Sequence, residues 1–517
     1  MQAGESPAPS ADRAPADDPA RRGRAIPISV NAVLNAGGNV AYAAAVALVT
    51  PIALHFLGEA AWGVWQLVGA ATSYALLLNI GLNSSVSFYV SRSVAAGESE
   101  RLSASIHNAR IFFWTVGGAI GAMGLLGSRA YAATFVDPEL LDLGFLALAA
   151  SMGITAVTLP VRIYPSVLSG IQRYDLLGYF RIASGVALLV SAALAFQAGM
   201  GLVGFAVLMS VAPAAPAFFA WLASRRLMPG DALAWRSVDR PHLAAMVRYS
   251  LNTLGYVAGT VVLYQSMKLI AALRCGGAAA AGHMGLVVNL VQLVSVAFLP
   301  LAAVLHTRVA DLSARGLDEQ LPTLIRKTLA GVGVLAVPSI AFLVVEADTV
   351  FRAWVGGSLD AGTIDRLAAT TRLMLLGQGV YVVFLPCFYA LVGVGDHRLF
   401  GIGMVVTGAM NALAGWLATG PAPRIETLGA VFGVCLAALV LLVTAPLAIR
   451  RFALGALQVA RETVAVPMLL ALPGLAVLAV RPRFADPLAD LALAAVCFGL
   501  PSLPALWWGR RRVQGTR

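Results

Sequence analysis

Charge is scarce in this chain, and negative charge is scarcer than positive. Only 12% of the residues are charged, against 59% hydrophobic, with 25 Asp and Glu facing 36 Lys and Arg. No soluble domain of 517 residues needs so much apolar surface, so a polytopic helical membrane protein is expected. The apolar runs are two to three times longer than the alternating segments of about ten residues that a porin-type barrel shows, which excludes that class. Cysteine is sparse too. Cys275, Cys387, Cys435 and Cys497 are scattered, with no spacing that suggests a metal site or a disulfide framework. The six histidines are dispersed, and there is no Walker loop, HExxH motif or nucleotide-binding domain. The longest interior connector has only about 25 residues, which leaves little room for an active site outside the membrane. We therefore expect no enzyme and no cofactor. The net charge of +11 is carried in short loops between apolar runs. Topology explains that placement, and no nucleic-acid partner is implied.

What is present is a series of membrane-length runs. Their boundaries fall at about 28–57, 61–90, 111–135, 143–171, then a shared stretch 182–224, then 249–272, 280–306 and 328–346. The remainder lie at 370–394, 399–419, 427–449, 463–480 and 488–508. The shared stretch is too long for one helix and breaks at 197–201, so about 14 transmembrane helices are expected. Residues 1–27 are rich in Pro, Ala, Ser and Asp and read as a disordered cytoplasmic tail. Placing the amino terminus inside puts 26 basic residues in cytoplasmic segments and seven outside. The outer seven are Arg129, Arg274, Arg352, Arg366, Arg424, Arg481 and Arg483. This bias predicts that both termini are cytoplasmic.

The chain also resembles itself. The run 34–41 (Leu-Asn-Ala-Gly-Gly-Asn-Val-Ala) matches 251–258 (Leu-Asn-Thr-Leu-Gly-Tyr-Val-Ala) at a shift of 217 residues. The run 169–174 matches 392–397 at a shift of 223. Each pair links span n to span n+6, so the repeats share one orientation in the membrane. The expected fold class is all-α, with two pseudo-symmetric six-helix lobes and two C-terminal helices around a cavity. The predicted boundaries are 28–224 for the N-lobe, 225–248 for a cytoplasmic connector and 249–450 for the C-lobe. Residues 451–509 form helices 13 and 14, and 510–517 a basic tail.

Ionisable groups at membrane depth cost roughly 2.5–3.5 kcal/mol each on insertion scales, so those present have a reason. Arg162 lies deep, between Pro160 and Pro165. Its planar fork suits a diphosphate, and the carbonyls freed by the prolines offer it an alternative structural role. Lys268 lies about 20 residues into the seventh span, where it either faces the cavity or snorkels to the outer headgroups. Arg372, near the start of the tenth span, is an interfacial or cavity cation. Buried cations without carboxylates point to an anionic cargo. Asn35 and Asn39 share one helix face, and Asn252 matches Asn35 in the repeat. Their amides can bond sugar hydroxyls or neighbouring helices. With Arg162, Lys268 and Arg372 they make up the candidate substrate-binding set.

At 170–181 (Gly-Ile-Gln-Arg-Tyr-Asp-Leu-Leu-Gly-Tyr-Phe-Arg) the chain resembles the inner turn between spans four and five of the Wzx-like polysaccharide flippases. These belong to the multidrug/oligosaccharidyl-lipid/polysaccharide exporter superfamily. Residues 58–65 and 393–398 resemble other turns of that family, and 79–83 with Ser91 and Arg92 the end of its second span; the similarity covers about 28–450. The resemblance implies movement of an undecaprenyl-diphosphate-linked oligosaccharide across the bacterial inner membrane, for lipopolysaccharide or exopolysaccharide biosynthesis. It implies membrane lipids, a polysaccharide polymerase and a co-polymerase as partners. Two rival readings are a multidrug/cation antiporter of the same superfamily and a membrane polymerase or ligase of the same pathway. The antiporter would need carboxylates at membrane depth, yet Glu59, Asp142, Glu346 and Asp490 all sit near span ends.

Overall fold

The protein is described here by a computed structural model covering residues 28–514, except 229–232, 234–237, 397 and 422. The predicted amino-terminal tail and the side chains of Asn35 and Asn252 lie outside the described residues. All regular structure among the described residues is helical. In a bilayer this is what satisfies every backbone polar group within its own segment. Among the described residues, twelve helices are long and apolar enough to cross a membrane.

The expected count of about 14 differs from this number at two places. The first two spans form one continuous element, α1 (Ile28–Ala96), interrupted only at Gly58, whose φ of 77° and ψ of 168° suit glycine alone. The other place is the last helix, Pro487–Gln514, whose 28 residues are long enough to cross but whose described side chains end at Leu500.

The other elements follow in order. They are α2 (Ser99–Phe135), α3 (Leu141–Thr158), α4 (Tyr164–Gly170), α5 (Tyr174–Gln197), α6 (Gly201–Val211) and α7 (Ala214–Leu227). The second series is α8 (Arg240–Arg274), α9 (Gly277–Ala314), α10 (Leu321–Val345), α11 (Ala347–Val355), α12 (Ala361–Val383) and α13 (Leu385–Gly393). Then come α14 (Arg398–Ala418), α15 (Ile425–Leu439), α16 (Ala445–Arg451), α17 (Ala456–Ala460), α18 (Val466–Val480) and α19 (Pro487–Gln514).

Prolines and glycines set the breaks. A 3₁₀ segment, Leu159–Ile163, joins α3 to α4 around Pro160. π-turns at Val440–Thr444 and Arg461–Ala465 precede Pro446 and Pro467, whose missing N–H groups leave the upstream ladder to rearrange. Gly199 and Gly201, both at positive φ, separate α5 from α6 at the expected place. The connector is shorter than predicted. α8 begins at Arg240 because Asp239 caps it, accepting from His242 N at 3.0 Å, with Pro241 in the first turn.

The two short sequence matches share backbone geometry. After α4, Arg173 N donates to Leu168 O at 2.9 Å; after α13, Asp396 N donates to Leu391 O at 2.9 Å. The residue at positive φ is Gln172 in the first turn and Gly395 in the second. Helix packing follows the same shifts. α1 packs on α5 where Gly38 meets Gly178, and α8 packs on α14 where Gly255 meets Gly401. A Cβ on Gly170 would lie 2.7 Å from Val90 Cγ1, and one on Gly393 2.8 Å from Val309 Cγ1. Small residues let these backbones approach, which is what drives helix association in lipid.

The two series meet along α1, α8 and α9. Gly63 abuts the backbone of Ala278, and Gly282 abuts Gly63. Near this crossing His283 Nε2 lies 2.8 Å from Glu59 Oε2.

Candidate functional site

A cavity of about 690 Å³ opens between α1, α4, α5 and α7. The 3₁₀ segment before α4 places Arg162 on its wall. Arg181, two turns into α5, lines the same cavity. Asn83, Ser84, Ser87, Ser166 and Ser169 add amide and hydroxyl groups. The residues described as lining it include two arginines and no Asp or Glu.

Arg162 is half-buried and, among the described residues, reaches only Thr158 Oγ1, at 3.4 Å. Its Nε is buried without a hydrogen-bond partner, and no carbonyl clamp of the kind the flanking prolines suggested is formed among the described residues. A guanidinium on the wall of a roomy polar cavity can pair there with an oxyanion. Arg181 donates to Asn39 Oδ1 on α1, so Asn39 holds this second guanidinium at the cavity. Asn83 Oδ1 in turn accepts from Ser166 Oγ at 3.2 Å, tying α1 to α4 along the wall.

Among the described residues the predicted set therefore separates. Arg162 and Asn39 converge on one place. Lys268 does not line that cavity. It is 5% exposed and donates from Nζ to Gln66 Oε1 at 3.0 Å. Neither cavity-facing nor snorkelling describes it: the ammonium is sealed at the seam between α8 and α1. Arg372 also lies elsewhere. Its Nε donates to Val344 O at 2.8 Å and its Nη2 to Asp348 Oδ1 at 2.9 Å, which clamps α12 to the turn between α10 and α11.

Two features escaped the sequence reading. Arg181 was counted as a loop charge of the positive-inside set; its position within α5 shows only once α5 is seen to begin at Tyr174. The second is a buried ionic group at the end of α18. Arg481 pairs with Glu346 at 2.8 Å and also with Asp490, and its side chain is 1% exposed. This joins α18 and α19 to α10 and α11.

At the shifts that relate the two helix series, Arg162 corresponds to Leu385, Arg181 to Met404 and Asn39 to Tyr256. There Tyr256 stacks on Phe388 at 4.9 Å between ring centres, and its hydroxyl meets that of Tyr381 at 3.1 Å. The cationic pair thus belongs to one series only.

No family model matches the chain, and no curated protein sequence matches it. Solved structures do. One is an inward-facing multidrug resistance MATE family transporter of the MOP superfamily, with a TM-score of 0.71 at 13% identity, covering 82% of this chain and 98% of that one. A MOP superfamily transporter from Pyrococcus furiosus, described as having a binding pocket of reverse polarity that suggests a different function, gives 0.64 at 13% identity over 82% and 95%. An outward-facing MATE family transporter gives 0.62 at 13% identity over 85% and 97%. At these identities the likeness is one of fold: a multi-pass, all-α membrane protein with the architecture of transporters.

Proposed function

We propose that the protein is a flippase that carries an undecaprenyl-diphosphate-linked oligosaccharide from the cytoplasmic to the periplasmic leaflet of the bacterial inner membrane, for surface polysaccharide biosynthesis. One observation carries this reading: Arg162 and Arg181 line one cavity, and no carboxylate does. A diphosphate needs paired, preorganised donors of positive charge, whereas a cationic drug or a coupling cation needs the opposite.

The transport cycle is alternating access between two six-helix lobes, 28–224 and 249–450, with 225–248 as connector. Repeated glycine contacts and repeated turns support that division. The bias of basic residues supports cytoplasmic termini. The prenyl tail stays in lipid, and a polymerase with its co-polymerase takes the delivered glycan. Helices 13 and 14, at 451–509, pack on the C-lobe through Arg481.

The second reading is a multidrug antiporter, favoured by the names of the neighbours that share the fold. A deletion strain separates the two. The flippase leaves lipid-linked intermediate stranded in the cytoplasmic leaflet; the antiporter leaves glycan normal and raises drug sensitivity. Arg162→Ala with Arg181→Ala, at normal protein levels, abolishes glycan display under the flippase reading, while Arg372→Ala retains it. Full display in the double variant would overturn the cationic-cavity mechanism.

A further inference from the structure

A second, smaller recess of about 270 Å³ lies between α1 and α9. On α1 it is lined by Asn39, Tyr42 and their neighbours one and two turns on; on α9, by Asn289, Gln292 and Val296. These positions recur every three or four residues, so each helix offers one continuous stripe. Trp354 of α11 closes one side and is fixed there because its Nε1 donates to Ala47 O at 2.7 Å. Asn289 and Gln292 are half-buried and make no hydrogen bond among the described residues. Two amides with unused donors and acceptors, flanked by two aromatic side chains, sit here in a mostly apolar lining with no charged residue. They suit an uncharged ring that carries hydroxyl groups.

The recess adjoins the cationic cavity. Asn39 lines the recess and holds Arg181, which lines the cavity. A ligand spanning both would place an anion beside the arginines and a hydroxylated ring directly next to it. That is the layout of a sugar bonded to a diphosphate.

We infer that the recess between α1 and α9 is a sugar subsite, in which Asn289 and Gln292 bond the hydroxyls of the ring attached to the anion. This deepens the flippase reading and rests on it. The cargo then lies across the seam between the two helix series, with its charge on α4 and α5 and its first sugar on α9. Asn289 and Gln292, which sequence reasoning did not place in the binding set, become the residues that discriminate among cargoes.

The test uses the full-length protein in nanodiscs and two kinds of probe. One is bare undecaprenyl diphosphate; the other is the same carrier bearing a single glucose, galactose or N-acetylglucosamine. At least one glycosylated carrier is expected to bind roughly tenfold more tightly than the bare one, the worth of one or two good hydrogen bonds. Asn289→Ala with Gln292→Ala removes that advantage and leaves bare-carrier affinity unchanged, which also reports that the variant is folded. Arg162→Ala with Arg181→Ala weakens all carriers alike. The subsite is overturned if no sugar improves on the bare carrier, if the amide variant keeps the full preference, or if that variant loses the bare carrier too. If wild-type protein binds none of the carriers, the flippase reading falls and takes the subsite with it.

Discussion

Lys268 on α8 donates to Gln66 on α1 at 3.0 Å, so a buried ammonium is held by an amide and the bond crosses the seam between the two helix series. Gln66 Oε1 is the one acceptor that compensates this cation among the described residues. Replacing it by Gln66→Leu is expected to destabilise the protein by roughly 1.5–3 kcal/mol, the cost of orphaning a charged donor. Lys268→Met added to Gln66→Leu should recover most of that loss, because neither partner is then left unsatisfied. Thermal unfolding of the four proteins in detergent gives the coupling directly. Additive effects would mean that the bond contributes nothing.

Steric closure of the same seam gives a second prediction. A Cβ on Gly63 would overlap the carbonyl of Ala278, whereas one on Gly69, on the same arm of α1, meets nothing within 4 Å. Gly63→Ala should lower the melting temperature by several degrees and loosen the Glu59–His283 contact, while Gly69→Ala should match wild type. Disulfide trapping between Cys introduced at Glu59 and His283 follows the loosening.

Arg481 supplies the third. Its guanidinium lies between Glu346 and Asp490. Arg481→Ala leaves two carboxylates close together without the guanidinium that lies between them, a change worth about 3 kcal/mol at the low end for breaking a buried ionic group. Arg481→Ala should therefore expose the turn before α19 to protease at a temperature where wild type resists. Adding Glu346→Gln and Asp490→Asn should restore resistance, and failure of that rescue would show that lost packing, not charge, is responsible.

pH acts at the other end of α8. His242 lies under Tyr89, with Ser105 Oγ 2.8 Å from its Nε2, and Asp239 and Arg101 are the charges that face it. Burial, with a contribution from Arg101, holds its imidazole below the ordinary value of 6.5, while Asp239 opposes the shift. The folded state thus favours the neutral ring. Its contribution is fully present above pH 6.5 and is lost as pH falls below that value towards the lowered folded one, because the unfolded chain then takes up the proton more readily. Protection factors for hydrogen exchange across the start of α8, corrected for the intrinsic rate at each pH, should fall between pH 7 and pH 5.5, and His242→Gln should flatten the dependence.

The membrane class, the break between α5 and α6 and the internal repeat were all legible in the chain, because each rests on a local signal: run length, a Gly pair, or matched short segments. The deep cation Arg162 was legible for the same reason, since a charge between two prolines in an apolar run stands out. Arg181 was not. It closes a polar stretch that reads as a loop, and only the turn at Gln172, with α5 starting at Tyr174, puts it two turns into a helix. Lys268 showed its depth in the sequence but not its direction. That direction depends on Gln66, some 200 residues away in the chain. The pairing of Arg481 with Glu346 is of the same kind, spanning 135 residues. The recess at Asn289 and Gln292 needed α1 and α9 to be brought face to face.

Where one series of helices has Arg162, Arg181 and Asn39, the other has Leu385, Met404 and Tyr256. Two halves that keep the same turns and the same glycine contacts have therefore divided their labour. Under the proposed function the first series holds the anionic end of the cargo and the second, through α9, its first sugar. Grafting the grip onto the second half, with Leu385→Arg and Met404→Arg, would give a molecule with two competing holds on its cargo, and such a machine stalls because it cannot let go.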